Sequence, residues 1–574
     1  FINIALGEYC NKHNKKIEII PTSIDKEMVI QCDGLVFKDS YRMISSPLKS
    51  MVNQLLGKDP SKYIYTKRFM RQFFENNHCE FKESYIDLLL QKEPMFYNQV
   101  NSFQDLYNDK LPARELTYDQ INQSIMSEED YNYLQSLWNT FDILSWGEYY
   151  SMYNLLDVTL LADCFEEFRN SCINKFDLDP AHYLTCSQMS YDLFLKNISN
   201  KDTSRYPVDA AQWADYIIKI SENEEFFDNI VLSREELIRY YISTMSCFHN
   251  GGGIHLLQNY KGYSIADGKE FTDKESTNLF VDFKENIRGG ITQISTRYSS
   301  IENNDESIMY LDANNLYGSV MMRPMPYSIC KNVDQKDIKH ACNDPEGFVK
   351  SLRTFSPIGY FIICDIEVPE GLHDYFNDLP LFPEQNYGLL SEPLQEFART
   401  NDIVTALECK TIENLLKDPA KKLICNLLPK KNYLVHYSML QLGLKLGYRI
   451  TKIHKLIPFK QSPFIFEYIN GLSRERANTS SAVLKNLYKL LANSIYGKFV
   501  ESGLKRIKVK VATTYEQQQQ IISKHSYQLI QQAELFDEHL WFAKIYNPRH
   551  NILKPLYIGN AILDMSKYWI YKFY

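Results

Sequence analysis

Between Leu484 and Gly497 the apolar and polar positions sort onto two faces when the chain is wound at helical pitch. Leu484, Leu487, Tyr488, Leu491 and Ile495 fall on one side, and Lys485, Lys489, Asn493 and Tyr496 on another. The first face can pack; the second presents two ammonium groups, an amide and a phenol in a row. Lysines one turn apart repel unless an anion lies between them, and a triphosphate or a nucleic-acid backbone is such an anion. Two lysines by themselves also suit an ordinary solvated helix. A second helix is predicted from Glu148 to Arg169, where Leu155, Val158, Leu161, Ala162 and Phe165 recur at helical spacing.

Short apolar runs at Ile17–Ile20, Met28–Ile30 and Leu35–Phe37 predict strands, as do Ser307–Leu311 and Gly359–Val368. Residues 176–255 read as mostly helical and end in Gly251-Gly252-Gly253. Arg288-Gly289-Gly290 is a further break, and Pro324, Pro326, Pro380 and Pro383 mark loops. No internal repeat is evident, and only Gln517–Gln520 is of low complexity.

Composition adds bounds. A chain of 574 residues, 44% apolar and 23% charged, has ample core; its length predicts about three or four globular domains. It holds no apolar run of about 18 residues, so no membrane span is expected. The chain begins at Phe1 without a visible signal peptide, and reads as an intracellular fragment that is not secreted. Its 12 cysteines contain no Cys-x-x-Cys pair, which argues against a zinc ribbon and against a disulfide framework.

The net charge of −8 argues weakly against nucleic acid, but local charge changes the picture. From Leu472 to Lys510 stand Arg474, Arg476, Lys485, Lys489, Lys498, Lys505, Arg506, Lys508 and Lys510 against only Glu475 and Glu501. A second basic stretch runs from Lys421 to Lys460.

Two carboxylates stand in suggestive places. Ser307-Ile-Met-Tyr-Leu-Asp312 is an apolar run that delivers a carboxylate at its end, a geometry suited to metal work; an Asp there is also commonly a cap. Tyr153 and Asp157, four apart, share a helix face, as they would on any amphipathic helix.

Lys489 to Gly497 spell Lys-x-x-x-Asn-Ser-x-Tyr-Gly, which resembles the fingers motif of family B DNA polymerases. Asp312-Ala-Asn-Asn315-Leu316-Tyr317-Gly318 resembles the same family's motif A, with Asn315 and Gly318 where Ser and Pro are usual. Tyr153-Asn-Leu-Leu-Asp157 looks like its third exonuclease motif, Arg288-Gly289-Gly290 like its template-binding glycine element, and Asp39-Ser40-Tyr41 like the segment that holds a frayed primer end. Taken together, these segments resemble the protein-primed branch, nearest to polymerases of Maverick/Polinton-type transposons and related viruses.

The resemblance implies roles. Asp312, with the Ala313 carbonyl, would bind the two magnesium (or manganese) ions of phosphoryl transfer. Lys489 would hold the incoming triphosphate, with Lys485, Arg474 or Arg476 nearby. Asn315, Leu316, Tyr317, Asn493, Tyr496 and Gly497 would complete the nucleotide site, and Tyr317 would exclude a ribose 2′-OH. Ser40, Arg288, Gly289, Gly290 and Lys498 would touch DNA. Asp157 would bind metal for 3′–5′ hydrolysis, Tyr153 would orient the attacking water, and Lys92 would assist.

The implied fold is a multidomain α+β or α/β chain, with a partial RNase H-like exonuclease domain, a palm with a ferredoxin-like sheet, helical fingers and no thumb. Its expected segments are 1–175 (exonuclease), 176–255 (helical connector), 256–325 (palm with motif A), 326–465 (an insertion of terminal-protein-region type), 466–500 (fingers), 501–550 (second insertion) and 551–574 (palm). Phe1-Ile-Asn-Ile resembles the chain just after the second exonuclease motif, and Tyr574 falls short of the third polymerase motif, so this polypeptide is expected to be inactive by itself.

The expected partners are a DNA primer-template, a dNTP and a terminal protein primer, with no membrane, the chain being a monomer. Two other readings stand beside the enzyme. One is a degenerate transposon relic that grips DNA without chemistry; the other is a reverse transcriptase, against which the Asn-Ser-x-Tyr-Gly motif argues.

Overall fold

The computed structural model describes residues 8–573 apart from 14, 16, 24–25, 77–81, 83–84, 121–122, 200–202, 223–231, 252, 254–272, 292–297, 304–305, 314, 388–420, 502–507, 513, 526–528, 536–539 and 546–553. The expectation for residues 1–4 therefore lies outside the described residues. The fold is α+β and divides into two compact units, one built from 1–189, 473–491 and 507–546, the other from 190–472, 492–506 and 547–574.

In the first unit, Ile17–Ser23, Lys26–Cys32 and Leu35–Lys38 form an antiparallel meander. Its second hairpin turns at Asp33 and Gly34, both at positive φ (49° and 83°), the conformation that a two-residue hairpin needs. A separate antiparallel sheet joins Lys508–Ala512, Leu540–Ile545 and Leu529–Leu535 in that order, over buried Trp541, Ala543 and Ile545.

The predicted second helix is present and longer, Trp146–Phe176, started by Ser145, whose hydroxyl accepts from the Glu148 N–H at 3.2 Å. Its buried face is not the predicted one. Tyr149, Met152, Leu156, Leu160, Cys164 and Phe168 are buried, while Val158 is 63% exposed. Two apolar stripes compete on this helix, and the one carrying the larger aromatic area wins. Asp163 is buried with them because it caps a neighbour: its carboxylate accepts from the Tyr65 and Thr66 N–H groups at 2.8 and 3.0 Å, at the start of the helix Ile64–Asn76.

The second unit is organised by a four-stranded antiparallel sheet with the order Lys430–His436, Ile358–Glu367, Arg449–Ser462, Met325–Ile329. The central strand Ile358–Glu367 is buried along most of its length, as its near-continuous apolar run predicts. Helices Cys186–Ser199, Tyr206–Glu222 and Arg234–Asn250 make the helical stretch expected across 176–255. The helix Leu556–Phe573 is buried from Leu556 through Lys567, as a helix apolar on nearly every side should be.

One predicted strand is absent. Ile308, Met309, Tyr310 and Leu311 lie in no strand or helix and are 64%, 75%, 93% and 62% exposed. The run has strand composition, but a strand exists only where another strand takes up its backbone groups, and no described strand pairs with it.

Candidate active site

In the second unit the structure gathers residues from three distant parts of the sequence. Asn315 sits at φ 52°, in the left-handed region, and caps the short helix Leu316–Met321 by accepting from the Gly318 N–H at 3.2 Å. That geometry explains the glycine: a Cβ at 318 would lie 2.1 Å from the Asn315 amide nitrogen. The cap fixes the start of the helix, with Leu316 and Tyr317 half-buried in its first turn.

The Tyr317 ring meets Tyr496 with centroids 4.6 Å apart and planes at 46°. Burial raises both phenols above the ordinary tyrosine range, so both are neutral hydrogen-bonding groups at physiological pH. Gly290 closes the group: a Cβ built there would stand 3.7 Å from the Tyr317 hydroxyl.

Asp312 and Ala313 precede this cluster and are exposed. Among the described residues no group of three His, Cys, Asp or Glu side chains is placed to hold a metal ion. Asp312 is an exposed carboxylate outside any such group, and by itself it does not fit a two-ion site.

The helix expected from the Lys489 motif spans Ala482–Phe499 with the two predicted faces. Leu487, Tyr488, Leu491 and Ile495 are buried, whereas Lys485, Lys489 and Asn493 are exposed. Gly497 is exposed, and a Cβ there would meet nothing within 4 Å, so its missing side chain leaves open surface beside the Tyr496 ring. Lys498 pairs with Glu501 at 3.4 Å.

Within the first unit, Val483 at the start of this helix donates its N–H to the Gln54 side chain at 2.7 Å. Lys175 lies 5.3 Å from the Tyr488 ring centroid and is ion-paired with Glu475. Arg474 and Arg476, flanking Glu475, are exposed.

Arg288 is placed differently from the expected DNA contact. Its guanidinium is buried, 3.5 Å over the Tyr433 ring, and donates to the Leu434 carbonyl at 2.8 Å. Its own carbonyl accepts from buried Lys567 at 2.7 Å. A planar guanidinium with an aromatic face and a carbonyl to satisfy packs well inside. Gly289 and Gly290 are what this element presents outward.

The first unit holds a second constellation. Lys92 reaches Asp157 at 2.7 Å and lies 3.6 Å from the Tyr153 ring centroid, and the Tyr153 hydroxyl is hydrogen-bonded to that of Tyr97. Lys92, Tyr153 and Asp157 are thus brought together as expected. Sequence reasoning missed Glu93, which is 3% exposed and contacts Lys92 at 3.2 Å. Burial pushes its carboxyl up to about 7, with Lys92 pulling the other way. No spacing signal marks Glu93; it follows Lys92 in a stretch without strong periodicity. Ser40 lies in a short 3-10 turn capped by Asp39, whose carboxylate accepts from the Tyr41 N–H at 3.0 Å.

Comparison with known proteins agrees with the family read from these motifs. Residues 85–573 match the family described as DNA polymerase type B, organellar and viral. Among curated proteins no match was found. Solved structures with some likeness include Phi29 DNA polymerase complexed with primer-template DNA and incoming nucleotide substrates, with TM-score 0.39 and 12% identity, covering 96% of this chain and 62% of that one. An orthorhombic crystal form of Phi29 DNA polymerase gives TM-score 0.39 and 11% identity, covering 96% and 61%. The chain therefore spans about three fifths of the length of those proteins. No helix among the described residues is long and apolar enough to cross a membrane. The family match extends over most of the chain, from before the Tyr153–Asp157 helix to the end of the helix Leu556–Phe573, and the chain belongs to the organellar and viral type B DNA polymerases.

Proposed function

We propose that this chain forms the nucleotide-selecting part of a DNA-directed DNA polymerase. The observation that carries this reading is the contact of Tyr317 with Tyr496, which joins the Asp312 segment to the Lys489 helix beside Gly290. Two neutral phenols in contact, one held by the Asn315 cap and the other by a helix whose opposite face is buried, form a stiff wall. A deoxyribose packed on Tyr317 would leave no room for a 2′-hydroxyl. Lys485 and Lys489, exposed one turn apart, suit a triphosphate that relieves their mutual repulsion, with Arg474 and Arg476 adding positive charge. Asn493 would contact the nascent base pair, Gly497 would let it approach, and Lys498, Gly289 and Gly290 would border the DNA.

In this reading Asp312 and the Ala313 carbonyl would be among the ligands of magnesium or manganese, which would supply charge stabilisation for phosphoryl transfer. Among the described residues no group of three ligating side chains completes that site, so the contribution proposed for this chain is to bind and orient the nucleotide. Lys92, Tyr153 and Asp157 are proposed as part of a 3′–5′ proofreading site, with Ser40 holding the strand. Protein priming, a Maverick/Polinton-type element as source, and replication in a nucleus or viral replication site complete the proposal.

A mobility-shift titration on a recessed primer-template tests it. The next correct dNTP should stabilise the complex over a mismatched dNTP, and Lys489→Ala should erase that increment while retaining DNA binding. Equal binding with correct and mismatched nucleotides would sink the polymerase reading and leave a DNA-gripping relic.

A further inference from the structure

We propose that a cavity of about 680 Å³ in the second unit binds a phosphate ester, supplied either as the polyphosphate of a free nucleotide or as the phosphodiester of a short single strand. Arg323, Lys350, Arg353 and Lys445 line it together with Trp569 and His436, and among the described residues no Asp or Glu does. None of the described residues among Asp312, Ala313 and Asn315 to Tyr317 borders it, so it is separate from the site described above.

A simpler account covers two of the cations. Lys350 and Lys445 stand in the last turns of the helices Pro345–Ser351 and Tyr437–Lys445, where positive charge complements the helix dipole, and Lys350 reaches Glu346 at 3.4 Å. That account does not extend to Arg353, which is exposed beyond its helix, or to Arg323, which is 6% exposed with its guanidinium 4.0 Å over the Trp569 ring. Charges of one sign around a concave low-dielectric wall concentrate the field and favour an anion inside.

His436 is an independent observation. It is 2% exposed, and its Nδ1 lies 2.8 Å from the Ser438 hydroxyl and 3.4 Å from the Ser438 N–H; with Nδ1 accepting there as the helix cap, the ring proton stands on Nε2. Among the described residues that Nε2–H has no acceptor. A buried donor without an acceptor is costly, and phosphate oxygen is an acceptor that the cationic wall would also recruit. The volume falls in the range of small-molecule sites, and cations interleaved with aromatic rings are the chemistry that receives phosphate esters carrying a base.

The experiment uses the full chain carrying Lys485→Ala and Lys489→Ala, so that loss of the proposed nucleotide lysines cannot masquerade as loss of this site. Calorimetric titration at fixed ionic strength with tripolyphosphate, dATP and a short oligonucleotide provides separate arms. The expectation is saturable binding in at least one arm, weakened at least about tenfold by Arg353→Glu with Lys350→Glu, since each charge-assisted contact contributes on that scale. Binding of tripolyphosphate and dATP identifies a free nucleotide as the source; binding of the oligonucleotide only identifies a strand. Both positions are exposed, so the double variant should keep the parent melting temperature; Arg353→Gln serves if it does not. No saturable binding in any arm, or equal binding by the variant, overturns the proposal.

Discussion

Replacing Glu93 with Gln should change how stability depends on pH. The carboxyl is 3% exposed and burial pushes its pKa up to about 7, against 4.5 for an ordinary glutamate. Between those values the folded chain holds a proton that the unfolded chain releases, so stability falls as pH rises from about 4.5 to about 7, and is flat above. At about 1.4 kcal/mol per unit, this penalty amounts to roughly 3 kcal/mol at pH 8. Glutamine keeps the shape without the charge, and Lys92 keeps Asp157 as partner. The variant should therefore stay within about 1 kcal/mol of the parent at pH 5 and exceed it at pH 8 by up to about 3 kcal/mol.

The difference between variant and parent is the quantity to measure, because His436 tilts the parent curve the other way. Burial lowers His436 to about 3, so folding excludes a proton that the unfolded chain takes up, and stability falls as pH drops below about 6.5. Urea unfolding followed by far-UV circular dichroism at pH 5, 6, 7 and 8 gives the comparison. A constant offset between Glu93→Gln and parent across that range would refute the reasoning.

Three further outcomes follow from the geometry. Asp163→Ala removes the acceptor for the Tyr65 and Thr66 N–H groups and should destabilise the first unit by about 1–3 kcal/mol, read as a lower urea midpoint. Gly318→Ala drives a Cβ into the Asn315 cap and should cost about 1–3 kcal/mol, with most of the loss recovered in a double variant carrying Asn315→Gly, as thermal unfolding would show. Tyr317→Ala should reduce discrimination between a deoxynucleotide and the matching ribonucleotide in the primer-template mobility shift without weakening DNA binding; unchanged discrimination would remove Tyr317 from the proposed sugar contact.

Local pattern was legible where one physical rule dominates. The Lys489 helix alternates its faces cleanly, and the structure buries Leu487, Leu491 and Ile495 while exposing Lys485 and Lys489. The strand Ile358–Glu367 was readable from its apolar run. Where two patterns compete, reading failed: on the Tyr153 helix the stripe through Val158 loses to the stripe through Leu156 and Leu160. Composition suggested a strand at Ser307–Leu311, but pairing is a property of two segments, and the second cannot be read from the first.

The same limit hid the surroundings of the site residues. Lys92 and Asp157 meet across 65 positions of sequence, Gly290 and Tyr317 across 27, and Glu93 carries no motif at all. Arg288 is expected at DNA because Arg288-Gly289-Gly290 resembles a template-binding glycine element; a tyrosine ring and a carbonyl far along the chain make its burial tolerable.

The exposed run Ile308–Leu311 has a consequence for handling the molecule. Four consecutive large apolar side chains in water, without charge among them, are what a neighbouring copy meets on close approach. Such a segment is prone to extend together with its twin, each supplying the strand that the other lacks. Concentrated preparations of this chain should therefore be limited by colloidal association through that stretch well before they are limited by unfolding, and a single lysine placed at Met309 is the change that would extend their working range.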